Sequence, residues 1–495
     1  MPSVLKNLVK HAGVYSLGNI LSKALAFLLI PLYTRFLTPA DYGDLEILSI
    51  TGQLIMIFCG MGLANGLIRS YLLEATGDTE RRIAATTAHA TILLSSILIY
   101  TLLIFGMKHI SQLAFGKVQH LLGFLVLFLT GALQCNTVIP MQIYRAELKS
   151  VRYTVISLIQ FFTILSSSIY FVVVLELNVL GILYANLLGA LVLLLGNFGM
   201  IRRYFAPHFS WTLLKKMLRF GLPLVPATLA LWLISSLDRY FLVHWTNAHE
   251  LGLYSMGFRF AAILELVFRE PFDSNWPSIY FPLAKQARAE QQFARIFSYY
   301  LIAGFFLCLA LSVLAKPVIR LMTTPAFYHA EKVVPLLALA ILFRGISSNL
   351  GVGIGISGKS EYDALTVGLT AGVNVLLSFL LIPAYGIMGA ALATMLSFAV
   401  MALISCFISQ RLFPITYEYA RIIKAGAAFA LPLLLYYGTS AESPLLEIAL
   451  AAGLCASYFF LLWLFNFFTP EERTGLKNLI HDKAFGLALL KSGMR

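Results

Sequence analysis

The sequence predicts an all-α polytopic membrane protein. We expect about 14 transmembrane helices, arranged as two pseudo-symmetric parallel six-helix lobes plus two C-terminal helices. Three observations predict this class: an apolar composition, apolar runs of regular length, and an internal repeat. Apolar residues make up 59% of the 495 residues and charged residues only 12%, whereas soluble chains carry about 25% charged residues. A chain this apolar cannot cover a soluble surface.

Fourteen apolar runs have roughly the 20-residue length that a bilayer core requires. They lie at 12–36, 45–72, 84–107, 119–143, 154–175, 179–201, 217–240, 251–280, 295–318, 333–356, 362–382, 386–410, 420–439 and 444–467. The segments between them are short, so no sizeable soluble domain interrupts the series. Twelve spans, with one pair misassigned, is the alternative count.

The basic residues indicate an orientation. Of 36 Lys and Arg residues, 24 fall in the segments on one side, 7 on the other and 5 inside spans. By the positive-inside rule, both termini are cytoplasmic and the protein lies in the plasma (inner) membrane as a multi-pass chain. The net charge of +13 therefore reflects topology, and we expect no nucleic-acid partner. The five cysteines lie in apolar runs without a CxxC pair, so we expect no metal and no cofactor.

The chain contains an internal repeat. Three pairs of short segments recur at offsets of 209, 210 and 205 residues, each at a corresponding place in the helix series. They are Ala40-Asp41-Tyr42-Gly43 with His249-Glu250-Leu251-Gly252, Lys149-Ser150 with Lys359-Ser360, and Gly181-Ile182 with Gly386-Ile387. Six helices is an even number, so the two halves have the same orientation. Parallel repeats around an axis along the membrane normal are a transporter architecture.

The repeat divides the chain into three parts. Residues 1–205 form the N-lobe with spans 1–6, and residues 206–411 form the C-lobe with spans 7–12. Residues 412–495 hold spans 13 and 14 and a cytoplasmic tail. The mixed polar and basic tail after Phe468 predicts a helix at the membrane interface.

Eight charged residues inside the predicted spans are candidates for the transport site. A charge near the bilayer centre costs roughly 2.5–3.5 kcal/mol even on the lenient insertion scale, so each such residue faces a partner or a wet cavity. Five are basic and three acidic: Lys23, Arg69, Arg259, Glu265, Arg269, Glu270, Asp273 and Arg344. The net charge of +2 favours an anionic substrate, and phosphate or pyrophosphate is the usual ligand of Arg and Lys.

Span 1 carries a polar stripe. Tyr15, Asn19, Ser22 and Lys23 share one helix face and predict a cavity lining. The alternative is an ion pair between Lys23 and an acid on a neighbouring helix. The cavity is favoured because the sequence places no acid in the middle of a span in the N-terminal half.

Span 8 carries five charges. They fall within about 140° of one another around the helix, and Pro271 is expected to kink it. An i,i+4 pair between Glu265 and Arg269 is the competing explanation for these two residues. Glu265, Glu270 and Asp273 are candidates for coupling transport to a proton or sodium ion. Arg344, on span 10, has no acid on its own helix and is expected to face the cavity.

Three further features have two readings each. Arg69 lies near the inner end of span 2 and could line the cavity or extend to the interface. Asp238 and Arg239 end span 7 and could form an outer gate or an interfacial anchor. The G-x-G-x-x-G segment at 353–358 lacks the preceding strand of a dinucleotide site and predicts close helix packing instead.

Several short segments follow one another in a specific order. They are Ser22-Lys23 with Pro31 to Gly43, Leu222-Pro223-Leu224-Val225-Pro226 with Trp232 and Asp238-Arg239, Gly252-Leu253-Tyr254-Ser255, and Tyr385 to Ala391. Together they resemble the polysaccharide-transporter flippases, the O-antigen type, of the multidrug/oligosaccharidyl-lipid/polysaccharide exporter superfamily. The similarity covers about residues 10–410.

The resemblance implies a function. The protein is expected to flip a polyprenyl-pyrophosphate-linked glycan from the inner to the outer leaflet for surface polysaccharide biosynthesis, alongside polymerisation and export machinery. Lys23 matches the position at which related lipid II flippases carry a cavity arginine, and Arg259 and Arg269 resemble the family's cationic wall. The alternatives are an ion-coupled multidrug antiporter and a lipid II flippase. An enzyme is not expected, because the outer loops are too short to hold a catalytic domain.

Overall fold

The computed structural model describes residues 27, 29–75, 77–439, 443–468 and 472. These residues form helices and no strands, which confirms the predicted all-α membrane class. Most of predicted span 1, including Asn19 and Lys23, and the predicted helix after Phe468 lie outside the described residues.

The described part of the first half of the chain forms eight helices. They are α1 (Ile30–Phe36), α2 (Pro39–Gly60), α3 (Leu63–Arg69), α4 (Asp78–Phe105), α5 (Met107–Phe115), α6 (Leu121–Ala146), α7 (Ser150–Ile169) and α8 (Asn178–Tyr204). Single π-helical turns at Ser70–Glu74 and Tyr170–Val174 extend α3 and α7.

Ten helices follow. They are α9 (Trp211–Gly221), α10 (Leu224–Trp245), α11 (Ala248–Leu264), α12 (Glu270–Leu283), α13 (Ala289–Met322), α14 (Val334–Leu350), α15 (Val352–Ser357), α16 (Ser360–Leu412), α17 (Tyr419–Gly438) and α18 (Pro444–Leu464). A π-helical turn at Glu265–Arg269 joins α11 to α12, and a 3₁₀ helix at Pro325–Val333 precedes α14.

Eleven helices in the described part of the chain are long and apolar enough to cross a membrane, and a twelfth results if α9 and α10, bent by 42°, form one span. One of the eleven, the 52-residue stretch Glu361–Leu412, would be about 78 Å long if straight, more than twice the hydrocarbon thickness. Its backbone reverses at Gly386, where φ is +54°. The Asn374 amide donates to Ser397 Oγ at 3.2 Å across this reversal. The stretch is therefore a helical hairpin, as the separate predicted runs at 362–382 and 386–410 require.

The helix starts in the two halves correspond. In α2, the Thr38 side chain accepts a hydrogen bond from the backbone of Asp41, whose carboxylate accepts from the Thr38 N–H. In α11, the Asn247 side chain accepts from the backbone of Glu250 at 2.9 Å. Both helices thus begin with a side-chain cap, 209 residues apart, at the repeat found in the sequence.

The same two helices bring the halves of the chain into backbone contact. A Cβ atom placed on Gly43 would lie 2.0 Å from the Ala248 carbonyl oxygen, and one on Gly252 would lie 1.7 Å from the Pro39 carbonyl oxygen. The two contacts are equivalent under the internal repeat, because Gly43 and Gly252 are 209 residues apart and so are Pro39 and Ala248. They lie at the end predicted to face outward. We call this pair of contacts the glycine seal.

The halves also meet near the opposite end of α2. Gly62, in the left-handed conformation after α2, packs against the backbone of Gly221 at the end of α9. The close-packing prediction for residues 353–358 agrees with the structure, because Gly353 lies against Ser409 and its N–H donates to the Ser409 hydroxyl at 2.9 Å. A π-helical turn that ends at Arg269 interrupts the regular helix two residues before Pro271, where the sequence predicts a kink.

Candidate functional site

Two polar cavities lie among the helices. The larger, about 450 Å³, is lined mainly by α2, α6 and α8 of the first half, with Arg259 of α11 contributed by the second half. The smaller, about 340 Å³, lies within the second half among α10, α12, α14 and α16. We call them the interlobe cavity and the C-lobe cavity. Of the nine described residues that the sequence nominated, four line these cavities: Arg259, Arg269, Asp273 and Arg344.

The C-lobe cavity contains an ion-pair network centred on Arg269. The guanidinium group of Arg269 donates to the carboxylates of Glu265 and Asp273, one turn before and one turn after it on the same helix. Its Nε atom is buried without a hydrogen-bond partner among the described residues. The i,i+4 pair that the sequence allowed is therefore present, and Arg269 is the more fully engaged of the two arginines here.

Arg344 presents its charge to the same cavity from α14. Its Nη1 atom lies 3.6 Å from Glu265 Oε1, and its side chain is 28% exposed, against 12% for Arg269. The guanidinium also lies 5.7 Å from the centre of the Phe398 ring. Arg344 shares a carboxylate that Arg269 already holds, so it is the more available cation. Serine hydroxyls from Ser347 and Ser405 complete this wall.

The remaining acids occupy different places. Asp273 and Asp363 both line the C-lobe cavity, whereas Glu265 reaches it through its contacts with the two arginines. Glu270 follows directly on the π-helical turn, is half-buried, and is not among the lining residues of either cavity. In this cavity the two guanidinium charges are thus matched by at least two carboxylates.

The interlobe cavity is rich in neutral polar groups. Its lining residues include Gln53, Gln134, Asn186 and Thr130. The side-chain amides of Gln134 and Asn186 make no hydrogen bond to another described residue. Amides that face a cavity in this way can donate to and accept from the hydroxyl groups of a ligand.

Arg259 faces the interlobe cavity from the opposite half of the chain. Its Nη2 atom lies 4.0 Å from Glu46 Oε2, and its guanidinium lies 5.5 Å from the centre of the Tyr42 ring. The side chain remains 38% exposed. The structure therefore places Arg259 in a different cavity from Arg269 and Arg344, although the sequence analysis expected all three to line one cavity.

Glu46 is the functional candidate that the sequence analysis missed. It lies in α2, its side chain is 16% exposed, and it contacts Arg239 Nε at 2.8 Å as well as Arg259. An acid thus lies two turns inside a helix of the N-terminal half, where the sequence analysis expected none in the middle of a span. Adding Glu46 to the eight residues nominated from the sequence gives five basic and four acidic residues, a net of +1 rather than +2.

Asp238 and Arg239 are both buried, at 1% and 4% exposure. Asp238 accepts hydrogen bonds from the Tyr254 hydroxyl and, at 3.3 Å, from Thr394. Arg239 bridges to Glu46 of the first half. Side chains buried in this way cannot contact the lipid–water boundary. Their burial therefore argues against an interfacial anchor, which is one of the two roles considered for this pair.

Two of the nominated residues lie elsewhere. Arg69 is half-exposed at the end of α3, where its Nε atom is 3.5 Å from Glu74 and its guanidinium packs over the Phe220 ring at 4.9 Å. It lines neither cavity, as expected of a side chain that extends to the interface. Asn19 and Lys23 fall outside the described residues.

A model of the family described as polysaccharide biosynthesis protein matches residues 32–274. An uncharacterized membrane protein of Haemophilus influenzae is 25% identical over 267 residues, which cover 52% of this chain and 62% of that protein. An Lsg locus protein of the same organism is 24% identical over 305 residues, or 59% of this chain and 71% of its own length. The chain thus spans about two thirds of the length of these relatives.

Solved structures share the fold at low identity. The lipid II flippase MurJ in an inward closed conformation superimposes with a TM-score of 0.76 at 14% identity, over 91% of this chain and 98% of MurJ. A multidrug resistance MATE family transporter of the MOP superfamily, in an inward-facing conformation, gives 0.66 at 14% identity, over 82% and 96%. The predicted resemblance is confirmed, and these proteins are transporters and flippases rather than enzymes.

Proposed function

We propose that this protein is a lipid-linked glycan flippase. Its sequence matches the polysaccharide biosynthesis family over residues 32–274, and its fold is similar to that of MurJ and of a MATE transporter. It moves a polyprenyl-pyrophosphate-linked oligosaccharide from the inner to the outer leaflet of the plasma membrane by alternating access. The observation that carries this proposal is the pair of partly exposed guanidinium groups, Arg259 and Arg344, that face polar cavities among membrane-length helices.

The two cavities suit the two polar parts of such a substrate. Guanidinium groups bind phosphate oxygens in a bidentate manner, so Arg344 of the C-lobe cavity, with Lys23 on span 1, is the proposed ligand of the pyrophosphate. Arg259 is proposed to bind the glycan part of the substrate in the interlobe cavity. The uncharged amides of Gln134 and Asn186 suit sugar hydroxyls and acetamido groups. The polyprenyl chain remains in the lipid, since its transfer into a polar cavity would be unfavourable.

Charge pairing explains how binding can be reversible. Arg344 Nη1 lies 3.6 Å from Glu265 Oε1, so a pyrophosphate competes with this carboxylate for the guanidinium group. Release of the pyrophosphate requires only that the ion pair between Glu265 and Arg344 form again. A proton or sodium ion on Glu265, Glu270 or Asp273 would weaken that competition, which is the proposed route for ion coupling.

Access from outside is controlled where the halves meet. Arg239 and Glu46 form an ion pair across the contact between α10 and α2, close to the Thr51 hydroxyl, which contacts the Tyr240 hydroxyl at 2.7 Å. We propose that Asp238 and Arg239, with Glu46, form the outer gate. The gate and the glycine seal separate together when the halves rock into an outward-open state.

The decisive experiment measures the lipid-linked intermediate. After depletion of the protein, the polyprenyl-pyrophosphate-linked sugar should accumulate on the cytoplasmic side while surface polysaccharide falls. Arg344→Ala should fail to restore export, and Arg344→Lys should restore part of it. Arg411→Ala, at an exposed arginine packed on the Phe407 ring, is the matched control and should restore export fully. Unchanged levels of both glycan species after depletion would reject the flippase proposal.

One observation supports the alternative of a multidrug antiporter. Glu46 is an acid in the first half of the chain and could bind a cationic drug. Both of its oxygens face arginines, Arg239 and Arg259, which opposes that reading. Efflux of cationic dyes, measured in the same depleted cells, separates the two functions. Complementation of a strain that lacks its lipid II flippase separates lipid II from other lipid-linked glycans.

A further inference from the structure

A third polar cavity, of about 180 Å³, lies away from the proposed transport site. It forms where the C-terminal helix pair, α17 and α18, meets the end of α13 and the 3₁₀ helix before α14. Eight of its ten lining residues carry a charge or a hydroxyl group, among them Lys316, Glu331, Lys332, Tyr436 and Glu447. We call it the C-terminal cavity.

Three polar atoms of this cavity are buried without a hydrogen-bond partner among the described residues. They are Glu331 Oε2, Glu447 Oε2 and the Tyr436 hydroxyl oxygen. The Glu447 residue is only 4% exposed. A buried carboxylate oxygen that lacks a donor is costly, because it has lost its water without replacement. Three such acceptors around one cavity suit a ligand that donates hydrogen bonds.

Cations surround these acceptors. The ammonium group of Lys316 contacts Glu447 Oε1, and Arg320 Nη1 lies 3.7 Å from the same oxygen. Lys332 is exposed at the rim. The other carboxylate oxygen, Oε2, is the one left without a donor. The cavity therefore offers both negative acceptors and positive donors within one small volume.

The position suits a lipid headgroup. The lining residues lie at the end of α13, the end of α17 and the beginning of α18, where three membrane-length helices leave the apolar layer. In a membrane this is the level of the phosphate and headgroup region. A ligand that arrived from the adjoining leaflet would meet this cavity first.

We propose that the C-terminal cavity binds the phosphoethanolamine headgroup of a membrane phospholipid. The three N–H groups of the primary ammonium donate to Glu331 Oε2, Glu447 Oε2 and the Tyr436 hydroxyl oxygen, the three atoms that have no donor among the described residues. The phosphate lies against Lys316, Arg320 and Lys332. A choline headgroup has no N–H to donate, and a glycerol headgroup has no positive charge, so neither satisfies the two carboxylate oxygens equally well. This site is independent of the flipped substrate.

Native mass spectrometry of the purified full-length protein tests the proposal. Phosphatidylethanolamine, phosphatidylcholine and phosphatidylglycerol with identical acyl chains are added in turn, and the bound fraction is measured. Phosphatidylethanolamine should bind about tenfold more tightly than either of the others, since one charged hydrogen bond supplies that factor. Glu331→Gln and, separately, Tyr436→Phe should reduce this preference several-fold. Glu290→Gln, at an exposed acid on the opposite end of α13, is the control and should leave it unchanged.

Each other outcome overturns a defined part of the proposal. Equal binding of phosphatidylcholine refutes the requirement for an N–H donor. Equal binding of phosphatidylglycerol reduces the site to a phosphate contact and refutes the ammonium assignment. Absence of any retained lipid means that water occupies the cavity. Glycan export by Glu331→Gln is scored in parallel, so a failure here is distinguishable from a failure of the flippase proposal.

Discussion

Replacement of Gly252 by Ala tests whether the glycine seal closes the outer end of the protein. The new Cβ atom would lie 1.7 Å from the Pro39 carbonyl oxygen, whereas real Cβ atoms essentially never approach within 3.0 Å. The starts of α2 and α11 must therefore separate by about 1.3 Å. Overpacking of this kind costs about 1–3 kcal/mol. It therefore lowers the equilibrium ratio of sealed to open protein roughly 5- to 140-fold.

The assay uses a cysteine inside the interlobe cavity. Ser49 lines this cavity from α2, and Ser49→Cys is nearly isosteric. With Cys406 and Cys455 replaced by Ala, because they are the native cysteines that are not fully buried, an impermeant maleimide is applied to intact cells from outside. The Ser49→Cys protein should react slowly, and the addition of Gly252→Ala should raise the labelling rate by the factor above and abolish export.

Gly426→Ala provides the matched control, because nothing lies within 4 Å of a Cβ atom at this helical position. It should leave both labelling and export unchanged, and a small gain in stability is expected from an Ala in a helix. If Gly252→Ala exports normally and Ser49→Cys stays protected, the glycine seal is not part of the transport cycle and the steric reasoning is wrong.

Three further predictions concern charged side chains. Glu46→Gln leaves Arg239 without its partner from the other half, and loss of one member of a buried pair costs about 3–5 kcal/mol. Labelling of Ser49→Cys from outside should therefore rise, and unchanged labelling would mean that Glu46 is not part of the gate. Lys23→Ala should abolish export while Lys23→Arg retains part of it, measured as surface polysaccharide at equal protein levels; an Arg variant as inactive as Ala would contradict a role for charge alone. Arg421→Gln should lower the thermal unfolding temperature of the purified protein by several degrees, since Arg421 is buried and holds Glu472 at 2.8 Å, and an unchanged transition would mean that this contact does not stabilise the C-terminal helix pair.

The helices could be predicted from the sequence because run length is a local property that the bilayer fixes. Even the reversal at Gly386 was marked by two separate apolar runs. The start of α2 was placed at residue 45, six residues late, because the apolar criterion ignores the capping box formed by Thr38 and Asp41. With the true start at Pro39, Glu46 lies two turns inside the helix, which is why this acid was overlooked.

The grouping of the charges could not be predicted from one helix at a time. Arg259 and Arg269 share a face of the same continuous helix, yet they line different cavities because the π-helical turn separates them and different helices pack beside each. The pairing of Arg344 with Glu265 joins residues 79 positions apart and depends on how α14 packs. Sequence spacing carries no information on such contacts.

The glycine seal has a consequence for how this sequence can vary. Each glycine faces a carbonyl of the opposite helix, and the two contacts are related by the same offset. A single displacement of α2 from α11 therefore relieves both clashes at once. The second substitution should add little to the effect of the first, so the double variant Gly43→Ala with Gly252→Ala should show strong non-additivity. Because loss of either glycine already separates the two helices, selection for export should retain both glycines together in a lineage.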